Sequence, residues 1–199
     1  MSSCEFTHFD EQGNAVMVDV TDKPVTERMA QAEGTIHVSP EVIEAIRGHR
    51  VKKGDVLTVA QVAGIMGTKK TSELIPMSHL LNLTGSGVTF TIQDEDSSIH
   101  AVCTAKTAGR TGVEMEALTG VTAALLTIYD MCKAIDRRMC ITDVHLVEKH
   151  GGRSGDFYYA DNPAPRDAPP CPAPGISHEC YSGADRIASV YSCPGMQTL

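Results

Sequence analysis

One stretch limits what this chain can fold into: Arg110 to Lys133, RTGVEMEALTGVTAALLTIYDMCK. Leu118, Val121, Leu125, Ile128, Cys132 and Ile135 recur at gaps of three and four. That spacing gathers them into one stripe on a helix of about 3.6 residues per turn. A helix with such a stripe must bury it against another layer, so the segment predicts a core helix. Off the stripe, Asp130 and Lys133 are three apart and therefore neighbours on the helix surface. Taken alone they form an ordinary surface ion pair, contributing about 0.2–0.5 kcal/mol. At the front, the basic turn Gly109-Arg110-Thr111-Gly112 leads into Glu114 and Glu116. Thr111 to Glu114 fits a capping box, with Thr111 as the N-cap and Glu114 at the third helical position. Glu114 and Glu116 are about 200° apart around a helix and share a face only where the backbone is extended.

The rest of the chain supplies a sheet. Ala15–Val20 reads as a short strand containing Asp19. From Thr26 to Val38, residues Arg28, Ala30, Ala32, Gly34, Ile36 and Val38 fall on one face of a period-two strand. Arg28 sits near the end of that face, where a charge can snorkel off the sheet. Ser39-Pro40-Glu41 starts a helix with proline at its first position. Asp55, after the turn Lys52-Lys53-Gly54, is a plausible N-cap for a second helix running to about Gly67. Lys69 and Lys70 follow that helix and can merely offset its dipole. Lys53 stands at a helix start, where the dipole is already positive, and that explanation fits it poorly; a lysine there favours an anion. A loop from Glu73 to His79 precedes strands at Val88–Ile92 and Ile99–Ala105, joined by the polar turn Gln93–Ser98. A last strand spans about Ile141–Glu148. Strand, helices, strand, strand, helix, strand is the split βαβ order of an α+β, ferredoxin-like fold, an antiparallel sheet with helices on one face; Ala15–Val20 is an N-terminal addition to it.

Residues 1–13 read as a flexible lead-in, 14–158 as one domain, and 159–199 as a disordered extension. Six of the ten prolines lie between Pro163 and Pro174. In that tail, Cys171, His178, Cys180 and Cys193 are too widely spaced for a standard zinc motif. Seven cysteines without a C-x-x-C pair suit a reduced, cytoplasmic protein. No apolar run approaches the ~18 residues that span a bilayer, and no signal peptide is read. A net charge of −8 disfavours nucleic acid, so a polyanionic ligand must meet a local basic cluster. Arg28, Lys53, Lys69, Lys133 and Lys149 provide cations, and Asp19, Glu114, Glu116, Asp130 and His79 provide acid–base groups. Such a set suits general acid–base work on a phosphorylated small molecule.

GVEMEALTGVTAALLTIYDMCKA resembles the signature of the cyclic pyranopterin monophosphate synthase family. MVDVTDK, KKGDVLTVAQVAGIMGTKKT, ELIP-MSH and GGRSGDF extend the resemblance over roughly residues 7–158. It implies a lyase of molybdenum-cofactor biosynthesis. Its substrate would be 3′,8-cyclo-7,8-dihydroguanosine triphosphate, made by a radical-SAM GTP cyclase, and its products cyclic pyranopterin monophosphate and pyrophosphate. By position the resemblance makes Lys53, Lys133, Asp130 and His79 catalytic. It makes Arg28, Lys69, Met77, Glu114, Met115, Glu116 and Lys149 substrate-binding. No cofactor is required, though magnesium can accompany the triphosphate. The family's hexamer, a trimer of dimers with active sites shared between subunits, implies that Lys53 and Lys133 need not meet within one chain. Three places depart from the family pattern. Ser78-His79-Leu80 replaces Cys-His-Pro, and arginines replace lysines at Arg110 and Arg153. The competing readings are a ferredoxin-like nucleotide-binding regulatory module and a catalytically degenerate paralogue.

Overall fold

The computed structural model describes residues 12 and 14–161. Strand β1 (Thr26–His37) is followed by helices α1 (Pro40–Arg47), α2 (Val56–Lys69) and α3 (Thr71–Leu74). Then come β2 (Leu83–Gln93), β3 (Ser98–Gly109), α4 (Glu114–Cys132), β4 (Cys140–His150) and β5 (Phe157–Tyr158). The sheet order is β2-β3-β1-β4-β5 with every pairing antiparallel, which is the ferredoxin-like arrangement with one short strand added. That addition is β5, at the C-terminal side. The expected N-terminal strand does not form: Ala15 makes an isolated bridge, and residues 16–20 belong to no strand. The reason is local. Val16 and Met17 stay exposed, and the segment's Val18 and Thr21 carbonyls are taken by side chains.

Alternation in β1 sends Ala30, Ala32, Gly34 and Ile36 to the helical face, where all are buried. The facing residues of β3, Ile99, Ala101, Cys103 and Ala105, are fully buried too. Small residues on the central strands let α4 settle close to the sheet. A side chain at Gly34 would strike Leu125 of α4 at 2.8 Å. The predicted stripe is realised from Val121 through Leu125 and Ile128 to Cys132, each 0% exposed, while Ile135 lies beyond the helix and is exposed. Helix α2 packs on α4 through glycine: a Cβ at Gly64 would meet the Gly120 carbonyl at 3.0 Å, and one at Gly120 would meet Thr68 at 2.6 Å. Gly64 lies against Gly120 and Ala124, while Gly67 lies against Thr119, Gly120 and Ala123, so the two helices run antiparallel.

Caps agree with the sequence at α1 and α2 and differ at α4. Pro40 opens α1 after the N-cap Ser39, and the Asp55 carboxylate accepts from the Thr58 N–H at 3.1 Å. The N-cap of α4 is Val113, with no side-chain cap, so the expected capping box from Thr111 to Glu114 is absent. Glu114 becomes the first helical residue, and its carboxylate turns aside to a lysine described below. Past β5, a 3-10 turn over Tyr159–Asp161 brings the Tyr159 ring to 4.2 Å from that of His145. The lead-in before residue 12, and the tail from residue 162 with its prolines and its Cys171, His178, Cys180 and Cys193, lie outside the described residues.

Candidate active site

Helix α4 carries a charged cluster at each end. At the C-terminal end, Asp130 is gripped from two sides. Lys53, in the turn that Gly54 (φ +104°) leads into α2, donates its Nζ to Asp130 Oδ2 at 2.7 Å and to the Asp130 carbonyl at 2.8 Å. Lys133, the C-cap of α4, places its Nζ 2.8 Å from Asp130 Oδ1. Hydrogen bonds from Lys133, then from Lys53, hold the Asp130 carboxyl down at about 2. The carboxylate therefore stays ionised and bridges two ammonium groups, all three about half exposed. Lys53 and Lys133 share the Asp130 carboxylate within one chain, although a site shared between subunits would not have required it. The antiparallel run of α2 against α4 brings residue 53 beside residue 130. Two ammonium groups on the two oxygens of one carboxylate can bind an anion and donate protons, and the carboxylate fixes their positions.

At the N-terminal end Glu114, Glu116, Lys149 and Arg28 gather around the start of α4. Glu114 Oε1 lies 3.3 Å from Lys149 Nζ, which also donates to Ser154 Oγ at 2.8 Å. This carboxylate folds back over Gly112, and a Cβ there would displace it. Arg28 does not snorkel freely. Its Nε donates to the Gly109 carbonyl at 3.0 Å and its Nη2 to that of Arg110 at 3.2 Å, so it anchors the turn before α4. A side chain at Gly152 would overlap the same guanidinium. Glu116, two residues into the helix, is 3% exposed. Burial, reinforced by the Glu114 charge, pushes its carboxyl up to about 7. Both glutamates are helical and so point to different sides of α4, Glu114 toward Lys149 at the surface and Glu116 into the interior, a carboxylate beside one carboxyl that is half protonated near neutrality. The first accepts hydrogen bonds only, and the second can also donate.

Lys69 ends α2, whose last turn packs beside the first half of α4. Met115 is 38% exposed, and Met77 is half-buried in the loop after α3. His79 follows in that loop, its Nε2 2.9 Å from the Val18 carbonyl. Leu80, standing where the family has proline, is exposed.

Two contributors escaped the sequence reading. The Val18 carbonyl holds His79, and Arg110 bonds the Thr21 carbonyl. Main-chain acceptors leave no trace in residue types, although Asp19 was visible as a carboxylate. It accepts from the Thr21 N–H at 2.8 Å, and its carboxyl is lowered chiefly by that residue's hydrogen bonds, with Arg110 and His79 adding smaller effects.

An antiparallel ferredoxin-like sheet, backed by a helix with lysine–carboxylate sets at both ends, defines an α+β protein equipped for acid–base chemistry on an anionic small molecule. The profile of the MoaC family matches residues 17–152, and the chain belongs to that family. Among its relatives, a cyclic pyranopterin monophosphate synthase of Clostridium perfringens (strain SM101 / Type A) is 57% identical over 155 residues, covering 78% of this chain and 98% of the relative. The Limosilactobacillus fermentum protein of that name is 57% identical over 157 residues, 79% of this chain and 94% of its own. The Brevibacillus brevis protein of the same name is 54% identical over 154 residues, 77% and 96%. No helix among the described residues is long and apolar enough to cross a membrane.

Proposed function

We propose that this chain is a lyase of molybdenum-cofactor biosynthesis. It converts 3′,8-cyclo-7,8-dihydroguanosine 5′-triphosphate into cyclic pyranopterin monophosphate and pyrophosphate. The observation that carries this reading is the Lys53–Asp130–Lys133 bridge, two lysines on one carboxylate in a chain whose relatives bear the synthase's name over nearly their whole length. A regulatory module would need the cations but not this carboxylate-bridged pair.

In this reading Lys53 and Lys133 transfer protons to ring nitrogens and oxygens as the purine-derived rings open and close, and Asp130 poises both. Glu114, as carboxylate, accepts from the guanidine-like edge of the base, and Glu116, when protonated, donates to it. Met77 and Met115 flank the base. Arg28, Lys69 and Lys149 supply charge for the triphosphate and for the departing pyrophosphate. Magnesium enters, where it takes part, as the triphosphate's counter-ion.

Both ends of α4 must serve one substrate, and about 24 Å of helix separates Glu114 from Asp130. The active site is therefore built from the C-terminal end of one chain's α4 and the N-terminal end of another's, in dimers that assemble into a hexamer. A radical-SAM GTP cyclase supplies the substrate in the cytoplasm. Purified chain is supplied with that cyclase's product, and the pterin is read by fluorescence after oxidation. Pterin formation, lost in Lys53→Ala, is expected; near-normal turnover by Lys53→Ala would remove the lysine from the chemistry.

A further inference from the structure

We infer that the segment Val18–Thr21 is a positioning strap that locks His79 in one tautomer and leaves Nδ1 as the nitrogen that exchanges a proton with substrate. The inference rests on the reading of His79 as an active-site residue. Its observations are independent of the bridge at the far end of α4.

A carbonyl oxygen only accepts, so the 2.9 Å contact between His79 Nε2 and the Val18 carbonyl requires the proton on Nε2. In the neutral ring Nδ1 is then the unprotonated nitrogen, and among the described residues it has no hydrogen-bond partner. The carbonyl itself is held in place. Asp19 accepts from the Thr21 N–H at 2.8 Å, closing a tight turn directly after Val18, and the Val20 carbonyl accepts from the Lys23 N–H at 3.1 Å. Arg110, in the turn before α4, donates to the Thr21 carbonyl, and the Arg110 carbonyl in turn receives the Arg28 guanidinium. A chain of contacts thus runs from the sheet through Arg28 and Arg110 to the strap and on to the imidazole.

This explains why residues 14–25 form no strand although AVMVDV reads as one: the segment's main-chain groups serve the histidine and the arginine. It also explains how His79 stays placed with an exposed Leu80 where the family has a rigid proline. In the reaction Nδ1 takes a proton from a substrate N–H or O–H, and the bonding pair stays on the substrate atom. The resulting imidazolium keeps Nε2–H on Val18, and the nearby Asp19 carboxylate offsets the new charge. Return of the proton restores the starting tautomer.

The test is imidazole nitrogen NMR on the full chain labelled at histidine, above the histidine titration, with His79 assigned by its loss in His79→Gln. A protonated, pyrrole-type Nε2 and a pyridine-type Nδ1 are expected. In Arg110→Ala, which releases the strap, the two nitrogens should move toward a common average. A wild-type ring protonated on Nδ1, or already averaged, overturns the inference. The second arm uses His79→Gln, whose amide N–H can still reach the Val18 carbonyl but cannot take a proton. It should keep the wild-type melting temperature and lose kcat by about 10²-fold or more. Retention of kcat would make His79 a structural peg and also overturn it. A wild type with the expected tautomer that forms no pterin would instead sink the proposed function while upholding the tautomer.

Discussion

Glu114 and Asp130 stand on one helix, at its first residue and in its last turn, and about 24 Å of helix rise separates them. Each is held by a lysine from elsewhere in the fold: Glu114 by Lys149 of β4, Asp130 by Lys53 from the turn before α2. The helix that organises the core therefore presents two half-sites, one triphosphate-length or more apart, and neither contains all the predicted chemistry. This geometry underlies the proposal that two chains cooperate.

Asp130→Asn should separate catalysis from stability. The Lys53 and Lys133 contacts to Asp130 are about half exposed and screened by solvent, so the melting temperature should change little. Both ammonium groups lose their common anchor, and kcat should fall by about 10²–10⁴-fold, the range expected for general acid–base groups. Thermal unfolding beside pterin formation checks both halves. A large drop in melting temperature with intact turnover would make the bridge a structural one.

Glu116 predicts how stability changes with pH. Its folded carboxyl, at about 7, lies above the ordinary 4.5, so the native state holds the proton more tightly than the unfolded chain. That contribution is fully present below about pH 4.5 and is lost as pH rises through 7. The shift corresponds to about 3 kcal/mol. Denaturant unfolding of wild type should show this loss between pH 5 and pH 8, approximately, and Glu116→Gln should flatten it. A parallel pH dependence in the variant would contradict the buried-carboxyl assignment.

Gly112→Ala tests the front half-site without removing a charged group. The added methyl lands on the Glu114 carboxylate and must push it away from Lys149. A lost charge-assisted hydrogen bond is worth about 1.5–3 kcal/mol, so kcat/KM should fall roughly 10- to 100-fold. Steady-state kinetics with the cyclase product measures it, and unchanged kcat/KM would remove Glu114 from substrate binding.

Much of the fold was legible because it is written in periodicity. The stripe from Val121 to Cys132 and the alternation of Ala30, Ala32 and Ile36 demand a helix on a sheet, and the caps at Ser39 and Asp55 mark two helix starts. The misreadings share a physical cause. AVMVDV has strand composition, but a strand needs a free edge, and the Val18 and Thr21 carbonyls are already engaged by His79 and Arg110. Thr111 to Glu114 has capping-box spacing, but Lys149 competes for the glutamate from a strand that is distant in sequence. β5 was missed because two residues, Phe157 and Tyr158, are too few to show a period. In the site, residue types pointed to lysines and acids; the pairing of Lys53 with Asp130 depends on α2 packing antiparallel to α4 through Gly64 and Gly120, a contact between helices that no local pattern announces.

The two-chain site is tested most directly by complementation. Lys53→Ala disables the Asp130 end and Glu114→Ala the opposite end, and each variant alone should be nearly inactive. Co-expressed in equal amounts, they form mixed dimers in which one of the two sites takes an intact end from each chain. Random pairing then restores about a quarter of wild-type activity. Recovery to that level is the predicted result; purified mixed oligomers no more active than the separate variants would contradict an active site shared between chains.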